Sequence, residues 1–173
     1  MACAAAAQRP AAERVETGMQ KAPKILVAGS FVMDLIVTTP RFPDRGETIL
    51  GTDFKTAPGG KGANQAVQAA RLGAAVTMFG KVGEDDFGDR MLESVSGAGV
   101  DVSPVLRSPV QPTAVGNVQI EAQPNGKTQN RIIVVPGANM DIRPEEADAL
   151  RAAIAAYDLV VLQLEIPMAV NER

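Results

Sequence analysis

The chain has 173 residues, 46% of them hydrophobic, and a formal net charge of −3. That length supports one globular unit with a real core, and the mild acidity leaves no electrostatic footprint for nucleic acid or an anionic membrane surface. With no histidine the chain has no imidazole base or ligand, and its sole cysteine, Cys3, permits no intrachain disulfide, in keeping with a reducing compartment.

Residues 1–23 are rich in Ala, carry Arg9 and Arg14, and contain no continuous apolar stretch. They read as a disordered tail rather than a secretory signal. Ala and Arg are also typical of an organellar presequence, whereas Glu13 and Glu16 oppose that reading. A cytoplasmic location is expected, with a nuclear pool left open. No stretch approaches the ~18 apolar residues of a membrane span.

From residue 24 a globular unit is expected to run to residue 173. Lys24-Ile25-Leu26-Val27-Ala28-Gly29 is a short apolar run stopped by glycine, the pattern of a buried parallel strand. Between Leu35 and Ala57 the texture changes: Leu35–Thr38 and Thr48–Leu50 are strand-like and flank Pro40, Pro43, Asp44 and Gly46, which predicts a hairpin-rich excursion. Gly62 to Leu72 is predicted helical, with Gln65, Gln68 and Arg71 on the wet face and Gly73 as the stop. Ala75–Gly80 is the next strand, and a second helix starts near Asp86, burying Phe87, Met91, Leu92 and Val95. Val115–Ala122 alternates apolar and polar residues and is predicted to meet Ile132–Val135 across the turn Pro124-Asn125-Gly126. A third helix is expected from Pro144 to Tyr157, followed by an almost unbroken apolar strand, Asp158–Glu165. The aliphatic bias of the core, with no Trp and one Tyr, suits a parallel sheet. The order of elements predicts an α/β protein, a doubly wound (Rossmann-like) parallel sheet with strand insertions near 35–57 and 113–135.

In such a sheet ligands gather beyond the carboxyl ends of the strands. Asp34 follows the first strand, Glu165 ends the last, and the glycine elbow Pro58-Gly59-Gly60-Lys61-Gly62-Ala63-Asn64-Gln65 opens a helix beside them. A loop so poor in side chains lets backbone approach a ligand, and the helix behind it is expected to aim free N–H groups there. Lys61 and Asn64 supply the polar side chains with reach. A carboxylate such as Asp34 can accept two hydrogen bonds from neighbouring hydroxyls, the way a vicinal diol is recognised; a turn aspartate satisfying local backbone is the alternative. For Glu165 the partner is a ligand hydroxyl or, structurally, a helix N-terminus. Gly137-Ala138-Asn139 is a weaker contributor to the same rim. Glu84-Asp85-Asp86 precedes a helix and reads as capping rather than a metal site. The elbow is not a Walker loop, because Gly62 rather than Ser or Thr follows the lysine, nor a dinucleotide fingerprint, because Gln65 fills the third glycine slot.

The run Gly60-Lys61-Gly62-Ala63-Asn64-Gln65-Ala66, with Gly73 after six intervening residues and Gly83 after nine more, is similar to the first signature of the ribokinase-type carbohydrate kinases. Gly29-Ser30-Phe31-Val32-Met33-Asp34 resembles that family's first strand and sugar-binding aspartate, and Leu162-Gln163-Leu164-Glu165 the strand end whose glutamate faces the sugar. The resemblance runs from about Ile25 onward. It implies a ribokinase-like fold with a small β lid, and ATP-dependent phosphorylation of D-ribose at O5 with Mg²⁺ and K⁺. It also implies a homodimer formed through the lid, and Asp34, Gly59, Gly60, Lys61, Asn64 and Glu165 as substrate-binding residues. A kinase for another sugar or a nucleoside, and a non-catalytic partner of the full-length enzyme, are the alternatives. Many bacterial members carry an asparagine where this chain has Val32, which removes one contact to the sugar. Family members are longer, and their second half carries an Asn-x-x-Glu motif and the Gly-Ala-Gly-Asp segment with the catalytic base. Neither occurs among these 173 residues, so neither a catalytic residue nor an ATP or metal site is assigned here. No turnover is expected from this chain alone, and its last strand is expected to be left with an exposed edge.

Overall fold

A computed structural model describes residues 21–123 and 126–173; most of the expected tail, and Pro124-Asn125 of the expected turn, lie outside the described residues. The first strand, β1 (Lys24–Ala28), lies at the centre of a parallel sheet. It is flanked by β4 (Ala75–Phe79) on one side and β9 (Leu159–Leu162) on the other, with Leu26 opposite both Thr77 and Val160. Alternate residues of β1 enter opposite layers. Val27 is fully buried with Met78, Met91 and Val95 on one face, and Leu26 and Ala28 pack with Phe79, Ile142, Ile166 and Val170 on the other. That period of two, apolar at every position, is what burying both faces of a parallel strand requires.

Helix α1 (Lys61–Arg71) covers the first layer with Gly62, Ala63 and Ala66. Its small residues bring helix and strand end together: a Cβ on Gly62 would sit inside contact distance of Ser30 N and of the Gly29 backbone. Helix α2 (Asp86–Gly97) buries Met91 and Val95, and Asp85 caps it by accepting from Gly88 N at 2.8 Å. A cap of this kind stabilises a helix by about 1 kcal/mol. The acidic cluster before α2 therefore caps, as its position implied. Asp85 also accepts from Thr113 N and Oγ1, which ties the helix start to the strand leading into the lid.

The lid is a four-stranded sheet in the order β3-β2-β7-β8. Strand β2 (Val32–Thr39) pairs antiparallel with β3 (Asp53–Gly59) and parallel with β7 (Val115–Ala122), which in turn pairs antiparallel with β8 (Thr128–Val135). The expected strand at Thr48–Leu50 is not formed; the partner of β2 starts five residues later, at Asp53. Because β3 is an edge strand it tolerates Pro58, whose missing N–H faces no neighbour.

Two other expectations are corrected. The third helix is broken into 3₁₀ turns at Pro144–Ala147 and Ile154–Ala156 around a four-residue α3 (Asp148–Arg151). Residues 151–156 are all exposed, so no apolar stripe holds a continuous helix there. The last strand stops at Leu162 rather than Glu165, and it lies at the edge of the sheet with Leu159 and Leu162 about half exposed. Glu165 instead occupies the turn between β9 and a short α4 (Met168–Glu172). The remaining strands, β5 (Lys81–Gly83) and β6 (Leu106–Ser108), form a small parallel pair. Among the described residues, no helix is long and apolar enough to cross a membrane.

Candidate functional site

Three chain segments meet where β1 hands over to the lid: residues 29–34, the glycine elbow at 58–62, and the turn after β9. Gly60 has φ +94, a left-handed conformation that favours glycine, and a Cβ there would lie 2.8 Å from both Ser30 O and Val32 N. The elbow therefore lies directly against the start of β2.

Asp34 lies inside β2, with β3 and β7 on either side. Its carboxylate fills the space that two glycines leave: a Cβ on Gly59 would lie 2.5 Å from Oδ2, and one on Gly116 would clash with Oδ1. Sequence reasoning named Gly59 as a backbone contact for ligand; in the structure it is buried and makes room for Asp34. The turn-aspartate alternative does not apply, since Asp34 is mid-strand and accepts no hydrogen bond from any described residue. Burial, and next the nearby charge of Glu165, push its carboxyl above the usual aspartate range. The two acids are thus close enough for their charges to couple.

Glu165 is the opposite case. Its Oε2 accepts from Ser30 Oγ at 2.7 Å and from Lys61 N at 3.4 Å, and its Oε1 pairs with Lys61 Nζ. Burial alone would raise its carboxyl; the hydrogen bonds from Lys61 and Ser30 outweigh that and hold it below the usual glutamate range. The structural alternative, a helix N-terminus, is therefore part of its surroundings.

The first turn of α1 corrects one expectation outright. Its N–H groups are not free: Lys61 N goes to Glu165, Gly62 N to Ser30 Oγ at 3.3 Å, and Ala63 N to Ser30 O at 3.0 Å. The positive end of the helix already faces a protein carboxylate, so this elbow is no phosphate cradle. Nor do the described residues bring three or more acidic or cysteine side chains together as a metal site. With those helix N–H groups already bonded, what this rim presents is directional hydrogen bonding from side chains.

Lys61 is largely exposed, with its amine on Glu165, and Asn64 is exposed one turn along α1 with no side-chain partner among the described residues. Asn139 does not face the rim: buried to 2% exposure, it accepts from Phe31 N at 3.0 Å and donates to Phe31 O at 2.8 Å, pinning the residue after Ser30. Ser30, fully buried, is the residue that sequence reasoning missed. A hydroxyl just past the carboxyl end of a buried strand was the available signal.

Fold and site together define an α/β protein with a β lid and a rim where Asp34, Glu165 and the Lys61 amine come together. The model of the pfkB family of carbohydrate kinases matches residues 22–172, and the chain belongs to that family. It is 48% identical to a ribokinase of Bacillus subtilis over 83% of this chain and 47% of that protein. It is 37% identical to a deoxyribokinase of Salmonella typhi, over 83% of this chain and 46% of that protein. Among solved structures, the Arabidopsis thaliana ribokinase complexed with ribose and ATP superposes with a TM-score of 0.72 at 35% identity, covering 87% of this chain and 48% of the other. The chain thus spans about half the length of the relatives it matches.

Proposed function

We propose that this chain carries the acceptor-sugar site of a ribose kinase, an enzyme that transfers the terminal phosphoryl group of ATP to O5 of D-ribose. The observation that carries the reading is Asp34: a half-buried carboxylate without a hydrogen-bond donor, held between two glycines and next to a second acid. An unsatisfied acceptor of this kind is stabilised by two hydroxyls from one ligand. Lys61 supplies a donor and Glu165 the spare acceptor capacity of Oε1, and the exposed Asn64 on the first turns of α1 is the expected further donor. Two carboxylates against one lysine favour a neutral polyol over a sugar phosphate or sugar acid. Binding here orients the acceptor hydroxyl, which is the positioning part of phosphoryl transfer.

ATP, Mg²⁺ and K⁺ belong to this reading as requirements of the complete enzyme, held by residues other than those described above. The homodimer through the lid and the cytoplasmic location are part of the same proposal. The similarity to a deoxyribokinase supports a second reading, in which 2-deoxyribose is the sugar.

Titration calorimetry and thermal shift with D-ribose, 2-deoxyribose and a nucleoside test both readings, since only a bound ligand raises stability. Ribose is expected to bind and raise the melting temperature, while a coupled assay with ATP gives no sustained turnover from these 173 residues. Absence of any sugar-induced shift would overturn the assignment; a preference for 2-deoxyribose would select the second reading.

A further inference from the structure

We propose that Ser30 is a positioning residue of the sugar site, its hydroxyl fixing the direction in which Glu165 presents its carboxylate. The hydroxyl is fully buried and has a partner on each side. It donates to Glu165 Oε2 at 2.7 Å and accepts from Gly62 N at 3.3 Å, while Ser30 O takes the next N–H of α1. One residue thereby joins the end of β1, the first turn of α1 and the turn after β9, three segments far apart in sequence.

Rigid neighbours fix its place. Asn139 holds the backbone of Phe31 on one side, and the close approach of Gly29 to Gly62 leaves no room for a shift on the other. Glu165 cannot rely on Lys61 for the same service. That lysine is largely exposed, and its long side chain is free to leave Oε1 for a sugar hydroxyl. When it does, Ser30 Oγ and Lys61 N still hold Oε2, and Oε1 turns to the ligand. The charged groups facing Glu165 are Lys61 and Asp34, and both stay in place when Ser30 is changed.

The inference rests on the sugar-site reading, and the test separates the two. Ser30→Ala removes only the hydroxyl. Ribose affinity of wild type and variant is measured by calorimetry across pH, alongside the melting temperature and the carbon-detected NMR titration of the Glu165 carboxyl. A hydrogen bond to an ionised group changes affinity by about tenfold or more, so a loss of that size is expected, together with a lower melting temperature because Gly62 N loses its acceptor. The Glu165 titration should move to higher pH, because Ser30 stabilises the ionised form. Lost affinity with an unmoved Glu165 titration would overturn the proposal, leaving Ser30 a packing residue, as would unchanged affinity in the variant. Should Ser30→Ala fail to fold, Ser30→Cys, a weaker donor of similar size, should give the same two shifts in smaller measure. If wild type binds no sugar, the sugar-site reading fails by itself, and an unmoved Glu165 titration in the variant would still sink the Ser30–Glu165 link.

Discussion

Of the two carboxylates on the rim, Asp34 has lost water without gaining a donor, whereas Glu165 has gained three. Their pKa shifts accordingly run in opposite directions, and the consequences for pH differ. Asp34 is raised by burial and then by Glu165, so its contribution to the unliganded fold is favourable below the unfolded pKa and is lost as pH rises through the folded value. On the proposed sugar-site reading, hydroxyls would bond to its ionised form, so ribose binding should fall away on acidification at a pH above the usual aspartate midpoint of about 4. Asp34→Asn should lower ribose affinity roughly tenfold to a hundredfold and flatten that acid limb, both read by calorimetry. Gly59→Ala should act through the same carboxylate. Its methyl would lie 2.5 Å from Asp34 Oδ2, so ribose affinity should drop and the fold lose about 1–3 kcal/mol in denaturant melts. Gly97→Ala, where a Cβ meets nothing within 4 Å, serves as the control and should leave both unchanged or slightly improved.

Between β5 and the 3₁₀ turns a buried lysine supports the second layer. Lys81, 5% exposed, donates to both oxygens of Glu146, at 2.8 and 3.0 Å, and to Asp141 O at 2.8 Å, while Ser108 Oγ donates to Asp141 Oδ2 at 2.6 Å. Removing the cation takes away the buried partner of Glu146, which keeps only Arg143, so Lys81→Met should destabilise by roughly 3 kcal/mol, read as a lower urea midpoint. Lys81→Met with Glu146→Leu should recover much of that loss, since an apolar pair replaces an ion pair at little net expense. Nothing local in the sequence announces this clamp, because its acids lie 60 and 65 residues beyond the lysine. Local pattern did reveal β1, α1, β4, α2 and β7, where apolar periodicity and a glycine stop coincide. It failed at β3, an exposed edge strand without alternation, and at residues 144–157, where Ala147 is buried but the alanines of 151–156 satisfy helix propensity and bury no face. At the site, Asp34 and Glu165 were legible as carboxylates beyond strand ends. Their different surroundings were not, because these depend on Ser30, Gly116 and the first turn of α1, which only the fold brings close.

Two apolar edges face solvent at opposite ends of the strand orders. Strand β9 closes the central sheet with Leu159 and Leu162 half exposed and Leu164 beyond it at 74%. Strand β8 closes the lid with Ile132, Ile133, Val134 and Val135 each more than half exposed, on both faces of the strand. Unpaired apolar edges template association, yet the two differ in what they can template. The β8 edge belongs to a hydrogen-bonded antiparallel pair of eight residues, long enough to pair in register with a second copy of itself. The β9 edge has only four residues, half the length of β8, and so offers a second copy fewer ladder hydrogen bonds. Sedimentation velocity of the 173-residue polypeptide should therefore show a reversible dimer governed by β8. Ile133→Lys should shift the population to monomer, and Leu164→Lys should leave the dimer intact while reducing precipitation on concentration. A dimer that survives Ile133→Lys but dissolves with Leu164→Lys would place the interface on the central sheet instead, and the lid would then be open to cover the sugar in each copy alone.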